Sequence, residues 1–193
     1  MVRAWGGALA RLHRASETFP VRAALPDCRG EVQAALGTLP AHEGGVVGVL
    51  ESGLAWLDGQ PAEEYGLLHG DLELDNLFWD GARVQVLDFD AAVYGWYAMD
   101  IAIALGDVWH EGGDDRDQRL TWFFDGYSAV RPLPTDAAVM LPHLVRLSSA
   151  LKVAGLLHAY AATDRASSPT WVTAMRSRHE RWLSATCAAL QSE

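Results

Sequence analysis

Residues 76–89, NLFWDGARVQVLDF, set two short apolar runs around Asp80-Gly81, with a period-two texture at Val84, Gln85 and Val86. Elsewhere the apolar residues recur every three to four. Period two marks an extended strand and period three to four a helix, so the chain cannot be all helix or all sheet. Asp80-Gly81 between the two apolar runs is a strong hairpin signal, because both residues tolerate the left-handed turn backbone. We therefore expect one short hairpin at about 76–88. The stripes around it predict helices. Trp5, Leu9 and Leu12 make one; Val46, Val49, Leu50, Leu54 and Leu57 predict a second over 43–58. Ile101, Leu105 and Val108 make a third, and Leu120, Phe123, Phe124 and Tyr127 a fourth. A long helix is expected over 136–160, with Pro142 ending its first turn or kinking it. A last helix starts at Ser168 as N-cap, with Pro169 behind it. Residues 17–42, punctuated by prolines, read as mixed. The expected class is α+β, predominantly helical, in a single domain over 1–193.

Composition narrows the function. The chain carries 25 acidic and 15 Lys or Arg side chains, a formal net charge of −10. That argues against nucleic acid as a partner, since phosphate neutralisation needs basic patches. Two distant cysteines, Cys28 and Cys187, give no disulfide framework and no thiolate metal site. The N-terminal residues lack a signal-peptide core, and GGVVGVLESGLAWL is broken by Glu51 and too short for a bilayer. The expectation is a cytoplasmic protein with no membrane partner.

Polar residues crowd onto the hairpin. His69, Asp71 and Asn76 precede its first strand; Asp88 ends the second and Asp90 follows. A hairpin brings its two ends together, so Asp71, Asn76 and Asp88 should share one site. Oxygen donors without sulfur suit a hard divalent cation, Mg²⁺ before Zn²⁺. Such a cation together with a carboxylate that accepts a hydroxyl proton is what phosphoryl transfer needs. A second reading takes His69 and Asp71 as part of a two-histidine, one-carboxylate iron site, completed by His110, His143 or His158. It leaves Asn76 and Asp88 without a role.

The order HGDLELDN, then VLDFD, then DIA at Asp100 to Ala102 resembles the aminoglycoside phosphotransferase and choline kinase-like branch of the protein-kinase-like superfamily. The segments YGLLHGDL, FFDGYSAVRPLP and GGALARLHRAS extend that resemblance over most of the chain. It implies a kinase-like C-terminal lobe, with Asp71 as catalytic base and Asn76 and Asp88 as Mg²⁺ ligands. It implies that His69 steadies the loop and that Asp100 accepts hydrogen bonds from its backbone. Phe78 and Leu87 would lie near the adenine of ATP.

Members of that family also carry an N-terminal β-lobe with a glycine-rich phosphate loop and a strand lysine. The one lysine here, Lys152, falls in a late helix, so the match is to the C-terminal lobe only and the N-terminal β-lobe is not recognised. The implied function is ATP-dependent transfer of the γ-phosphoryl group to a hydroxyl of a small molecule that is aminoglycoside-, choline- or homoserine-like. The alternative is a catalytically silent lobe acting as an interaction module, exposing a face for self-association or for an N-terminal lobe. Glu73, Asp75 and Asp90 are candidates to meet a cationic substrate, against an ordinary solvated face. Tyr94 and Trp96, with Tyr97, are candidates to wall its pocket, against ordinary core packing. His13, His42 and His179 receive no role.

Overall fold

The computed structural model describes residues 1–20, 22, 25–40, 43–81, 83–161 and 169–191. The expected cap Ser168 and His42 lie outside them. The chain forms two compact units, one of Met1–Cys28 with Gly59–Val145, the other of Arg29–Asp58 with Arg146–Glu193.

The first unit is organised by α1 (Val2–Ser16). Trp5, Leu9, His13 and Ser16 recur every three to four residues and are all buried, so its inward stripe is apolar at one end and polar at the other. That stripe faces α4 (Tyr97–Glu111) and α5 (Arg116–Ser128). Helices α1 and α5 touch backbone to backbone. A Cβ on Gly126 would sit 1.9 Å from the Arg3 carbonyl oxygen, and one on Gly6 would sit 2.1 Å from that of Phe123. No side chain fits there, and the indole of Trp5 meets the Phe123 ring edge-on at 5.1 Å beside the crossing.

The expected hairpin is present as β2 (Leu77–Trp79) and β3 (Val84–Val86), antiparallel with Leu77 opposite Val86. Its turn is closed by Asp80, whose carboxylate accepts from the Arg83 amide at 2.7 Å, while Gly81 takes φ of +96°. A second antiparallel pair adds to the expectation. Strand β1 (Tyr65–Leu68) pairs with β4 (Val93–Trp96), Leu68 opposite Val93. These strands are 25 residues apart, with the β2–β3 hairpin between them, so no turn of their own announces the pairing.

The second unit holds α3 (Gly44–Asp58), α7 (Thr170–Gln191), most of α2 (Cys28–Thr38) and the later part of α6 (Ala137–Ala161). Helix α2 is a correction to the mixed segment expected over 17–42: Val32 is buried and anchors it. An ion pair of 2.8 Å joins Arg29 at its start to Asp58 at the end of α3. Helix α6 runs through Pro142 near its start without ending there. By length and composition it is apolar enough to cross a bilayer, and half of its most apolar window is buried within the protein.

Candidate active site

The loop from His69 to Asn76 is held from beneath by one carboxylate. Asp100, in the first turn of α4, is completely buried. Its Oδ2 accepts from the His69 amide at 2.9 Å and its Oδ1 from the Gly70 amide at 3.0 Å. Gly70 has φ of +79°, and a Cβ there would meet the Ala91 carbonyl oxygen at 2.1 Å. Only glycine lets the loop pass between Asp100 and Ala91. The sequence reading of His69 and Asp100 as supports is consistent with these contacts.

His69 is fully buried, with both ring nitrogens engaged. Its Nε2 meets the Leu87 carbonyl at 2.9 Å, so that nitrogen carries the proton and donates. Its Nδ1 accepts from the Asp71 amide at 3.3 Å. The ring thereby ties the loop to the strand end at Leu87, and Phe89 covers it at 4.6 Å. No lone pair is left for a metal. Among the described residues no group of three or more His, Cys, Asp or Glu side chains is placed to hold a metal ion, so the iron reading has no support.

Asp71 is half-buried and Asn76 fixes it. The Asn76 Nδ2 donates to the Asp71 carbonyl at 2.7 Å and to its Oδ2 at 3.0 Å. Across the hairpin the Leu87 amide donates to the Asn76 carbonyl at 3.0 Å. The pairing that follows, Leu77 with Val86, puts Asn76 and Asp88 at the same end of the ribbon. Asp88 is exposed, has φ of +59°, and its Oδ1 accepts from the Asp90 amide at 3.2 Å. With Nδ2 committed to Asp71, the atom Asn76 offers to a cation is Oδ1. Asn76 Oδ1 and the Asp88 carboxylate are an oxygen-only donor set that fits a hard divalent cation.

The remaining candidates fall into two groups. Phe78 is 53% exposed and Leu87 47%, and Leu74, Trp79 and Phe89 are also exposed. Glu73 is half-buried, while Asp75 and Asp90 are exposed. Tyr94 and Tyr97 are buried. The Tyr94 hydroxyl donates to the Pro20 carbonyl at 3.2 Å and accepts from the Arg22 amide at 2.9 Å. Trp96 is partly exposed, and its indole donates to the Pro61 carbonyl at 3.1 Å.

The sequence reading missed what lies behind Asp100. His13 of α1 is completely buried, and its Nε2 lies 3.0 Å from Asp100 Oδ2. Its Nδ1 is 2.7 Å from the Tyr127 hydroxyl, and its ring stacks on Tyr97 at 4.5 Å. Burial pushes His13 below its ordinary range, against the pull of Asp100. Burial alone would raise Asp100, but the donors from His13, His69 and Gly70 hold its carboxyl below the usual range. The pair is a neutral imidazole beside an ionised carboxylate. Helix α1 reaches the loop a second time, where the Trp5 indole donates to the Leu72 carbonyl at 3.2 Å. The available signal was position: His13 lies four residues after Leu9, on the buried stripe, where a polar side chain needs a partner.

The comparisons with known proteins agree with this geometry. The phosphotransferase enzyme family matches residues 1–133. Amicoumacin kinase of Bacillus subtilis (strain 168) is 34% identical over 103 residues, half of this chain and 30% of that protein. Homoserine kinase of Rhodopseudomonas palustris (strain BisB18) is 34% identical over 152 residues, 73% of this chain and 46% of that protein. The chain thus spans less than half the length of these curated relatives. Among solved structures, an amicoumacin kinase in complex with AMP-PNP, Ca²⁺ and Ami superimposes with a TM-score of 0.71 at 20% identity, over 94% of this chain and 57% of that one. A microcompartment-associated aminopropanol kinase gives 0.69 at 24% identity, over 98% of this chain and 61% of that one. At that identity the likeness is one of fold, a kinase-like phosphotransferase fold. With more than half of its residues matched by the family, and with the loop and hairpin arranged as described, this chain belongs to the phosphotransferase enzyme family.

Proposed function

We propose that this chain carries the catalytic loop and cation site of an ATP-dependent small-molecule kinase. The observation that supports it best is the Asn76 side chain. Its Nδ2 holds the Asp71 carbonyl and carboxylate, and in this reading its Oδ1 would go to a cation shared with Asp88. In this reading Asp71 orients the acceptor hydroxyl and takes its proton. The acceptor oxygen bonds to the γ-phosphorus as the bond to the β,γ-bridging oxygen breaks, and ADP leaves with that oxygen. Asn76 Oδ1 and Asp88 would hold Mg²⁺, whose charge when bound offsets that of the phosphate oxygens. The exposed apolar surface at Phe78 and Leu87 would receive the adenine. His69 and Asp100 keep the loop in shape, so that Asp71 does not have to be repositioned at the moment of transfer.

The names of the relatives point to the acceptor class. Homoserine and aminopropanol, on which two of those proteins act by name, each carry both an amine and a hydroxyl. Glu73, Asp75 and Asp90 flank Asp71 and Asp88 in sequence and give this end of the hairpin negative charge. An amino alcohol or an aminated sugar is therefore the acceptor we propose.

The test is ³¹P NMR of the protein with Mg²⁺-ATP and a panel of hydroxyl compounds with and without an amine. A new phosphomonoester signal, lost in Asp71→Asn, is expected. ATP consumption that yields only inorganic phosphate, or transfer that survives Asp71→Asn, would overturn the reading.

A further inference from the structure

Five consecutive peptide groups, from the one joining Leu68 to His69 to the one joining Leu72 to Glu73, are each held by a side chain. Asp71 lies between the third and the fourth. The first two give their N–H groups to Asp100, at 2.9 and 3.0 Å. The third gives its N–H to the His69 ring at 3.3 Å. The fourth accepts on its carbonyl from Asn76 at 2.7 Å, and the fifth on its carbonyl from the Trp5 indole at 3.2 Å. The middle holds come from within the loop. Those at the two ends come from outside it, and both lead to α1. Trp5 belongs to that helix. Asp100 has an amide on each oxygen, so it is a carboxylate, and the His13 Nε2 facing it at 3.0 Å is a donor.

Trp5 and His13 are eight residues apart on the buried stripe, about 12 Å along the helix axis. A helix is stiff over that length, so α1 fixes the distance between the two holds. Trp5, His13 and Leu72 are all buried. Water therefore cannot take the place of either donor, and a lost N–H leaves a buried acceptor unanswered. The His13 ring is itself held by the Tyr127 hydroxyl, 2.7 Å from its Nδ1, and by Tyr97, on which it stacks.

We infer that Trp5 and His13 are positioning residues for phosphoryl transfer, holding the backbone on both sides of Asp71 from a single helix. Trp5 acts through the Leu72 carbonyl and His13 through Asp100. Both lie buried beneath the loop, so neither offers a contact to nucleotide or acceptor. Loss of either hold frees the Asp71 carboxylate to leave its productive position while every group that would bind ATP and acceptor stays in place. The loss therefore falls on kcat and spares KM. The inference rests on the role proposed for Asp71.

The experiment compares four variants of the full 193-residue chain. Trp5→Phe keeps a ring against Phe123 and removes the N–H. His13→Leu fills space and donates nothing, whereas His13→Gln keeps a donor. Val108→Ala, buried two turns further along α4, lowers stability away from the loop and is the control. Amide hydrogen exchange is read by NMR without nucleotide or acceptor. In Trp5→Phe and His13→Leu the His69, Gly70 and Asp71 amides should exchange about tenfold faster or more, while the Leu87 amide, which bonds across the hairpin, stays near the parent's rate. In the phosphotransfer assay kcat should fall by about 10–10²-fold in the same two variants, with KM for ATP and acceptor nearly unchanged. His13→Gln should recover most of both losses, a rescue that a space-filling role would not predict, and Val108→Ala should show neither. Should His13→Leu not fold, Trp5→Phe and His13→Gln carry the test. Parental loop exchange in folded Trp5→Phe, a rise in KM with kcat intact, a His13→Gln no better than His13→Leu, or a kcat loss in Val108→Ala as large as theirs would each overturn the inference. Absence of transfer by the parent would instead strike the role given to Asp71, and the exchange rates would still decide whether α1 holds the loop.

Discussion

Asn76 grips Asp71 at two points, the backbone carbonyl at 2.7 Å and the carboxylate at 3.0 Å, through a single side-chain nitrogen. Replacing that nitrogen by oxygen turns both attractions into repulsions. Asn76→Asp should lower stability by about 2 kcal/mol without divalent cation, from two lost hydrogen bonds and a new like-charge contact. Added Mg²⁺ should return part of the loss, since the substituted site presents more negative charge to a cation. Thermal midpoints with and without Mg²⁺ check this; no cation-dependent recovery would count against a cation site at Asn76.

Asp71→Asn retains the shape of the side chain but cannot take a proton. In a phosphotransfer assay kcat should fall by about 10²–10⁴-fold, the usual contribution of a positioned base, with nucleotide affinity nearly unchanged. A rate within threefold of the parent's would remove Asp71 from the role of base.

Asp88 sits at φ of +59°, where a side chain with a Cβ is strained. Asp88→Ala should cost about 1 kcal/mol in denaturant unfolding, and Asp88→Gly close to nothing. Both should abolish cation-dependent nucleotide binding, read by calorimetry. The two variants separate backbone strain from ligand chemistry at one position.

Gly70→Ala puts a methyl group 2.1 Å from the Ala91 carbonyl oxygen in a left-handed backbone. The loop must then leave Asp100 or Ala91 must move. We expect a loss of about 2 kcal/mol or more in stability, and a loss of turnover beyond what the altered stability explains. A variant as stable and active as the parent would show that the loop has room the structure does not display.

The His13–Asp100 pair makes the fold acid-sensitive. In the folded chain both groups lie below their ordinary pKa, His13 because burial disfavours its cation and Asp100 because its donors outweigh its burial. The unfolded His13 takes a proton as pH falls through about 6.5, while the folded one resists. The unfolded state then holds more protons, so stability is greatest above about pH 7 and declines as pH falls below it. Asp100 extends the decline as pH falls through its depressed folded value. In His13→Gln, which can still donate to Asp100, the decline between about pH 7 and 5 should flatten. Equal pH slopes for parent and variant in denaturant melts would contradict the neutral assignment of His13.

What the sequence disclosed about the fold was what short range encodes. Leu77 pairs with Val86 across a turn written in Asp80 and Gly81, and Asn76 and Asp88 follow to one end of the ribbon. The pairing of Leu68 with Val93 is set by what packs around β1 and β4, and the 24 residues between them carry no mark of it. Val32 sits among prolines and glycines that obscured α2. Asp100 stood in a recognisable motif, but His13, 87 residues earlier, meets it only once α1 and α4 have packed together. A buried polar side chain reveals its need for a partner in one dimension and the partner's identity only in three.

Helix α1 holds the loop at Leu72 through Trp5 and at Asp100 through His13, and is itself pressed onto α5 where Gly6 and Gly126 leave no gap. The eight residues HGDLELDN are therefore not a portable unit. Grafted onto another scaffold, they would leave the Leu72 carbonyl without Trp5 and the His69 and Gly70 amides without Asp100, and would settle into some other shape. The smallest piece that could be transplanted with its geometry intact is the loop with α1, the α4 start and the α5 glycine contact. Variation aimed at new acceptors would disturb least if confined to the exposed side chains of Asp75 and Asp90, which take part in none of those contacts.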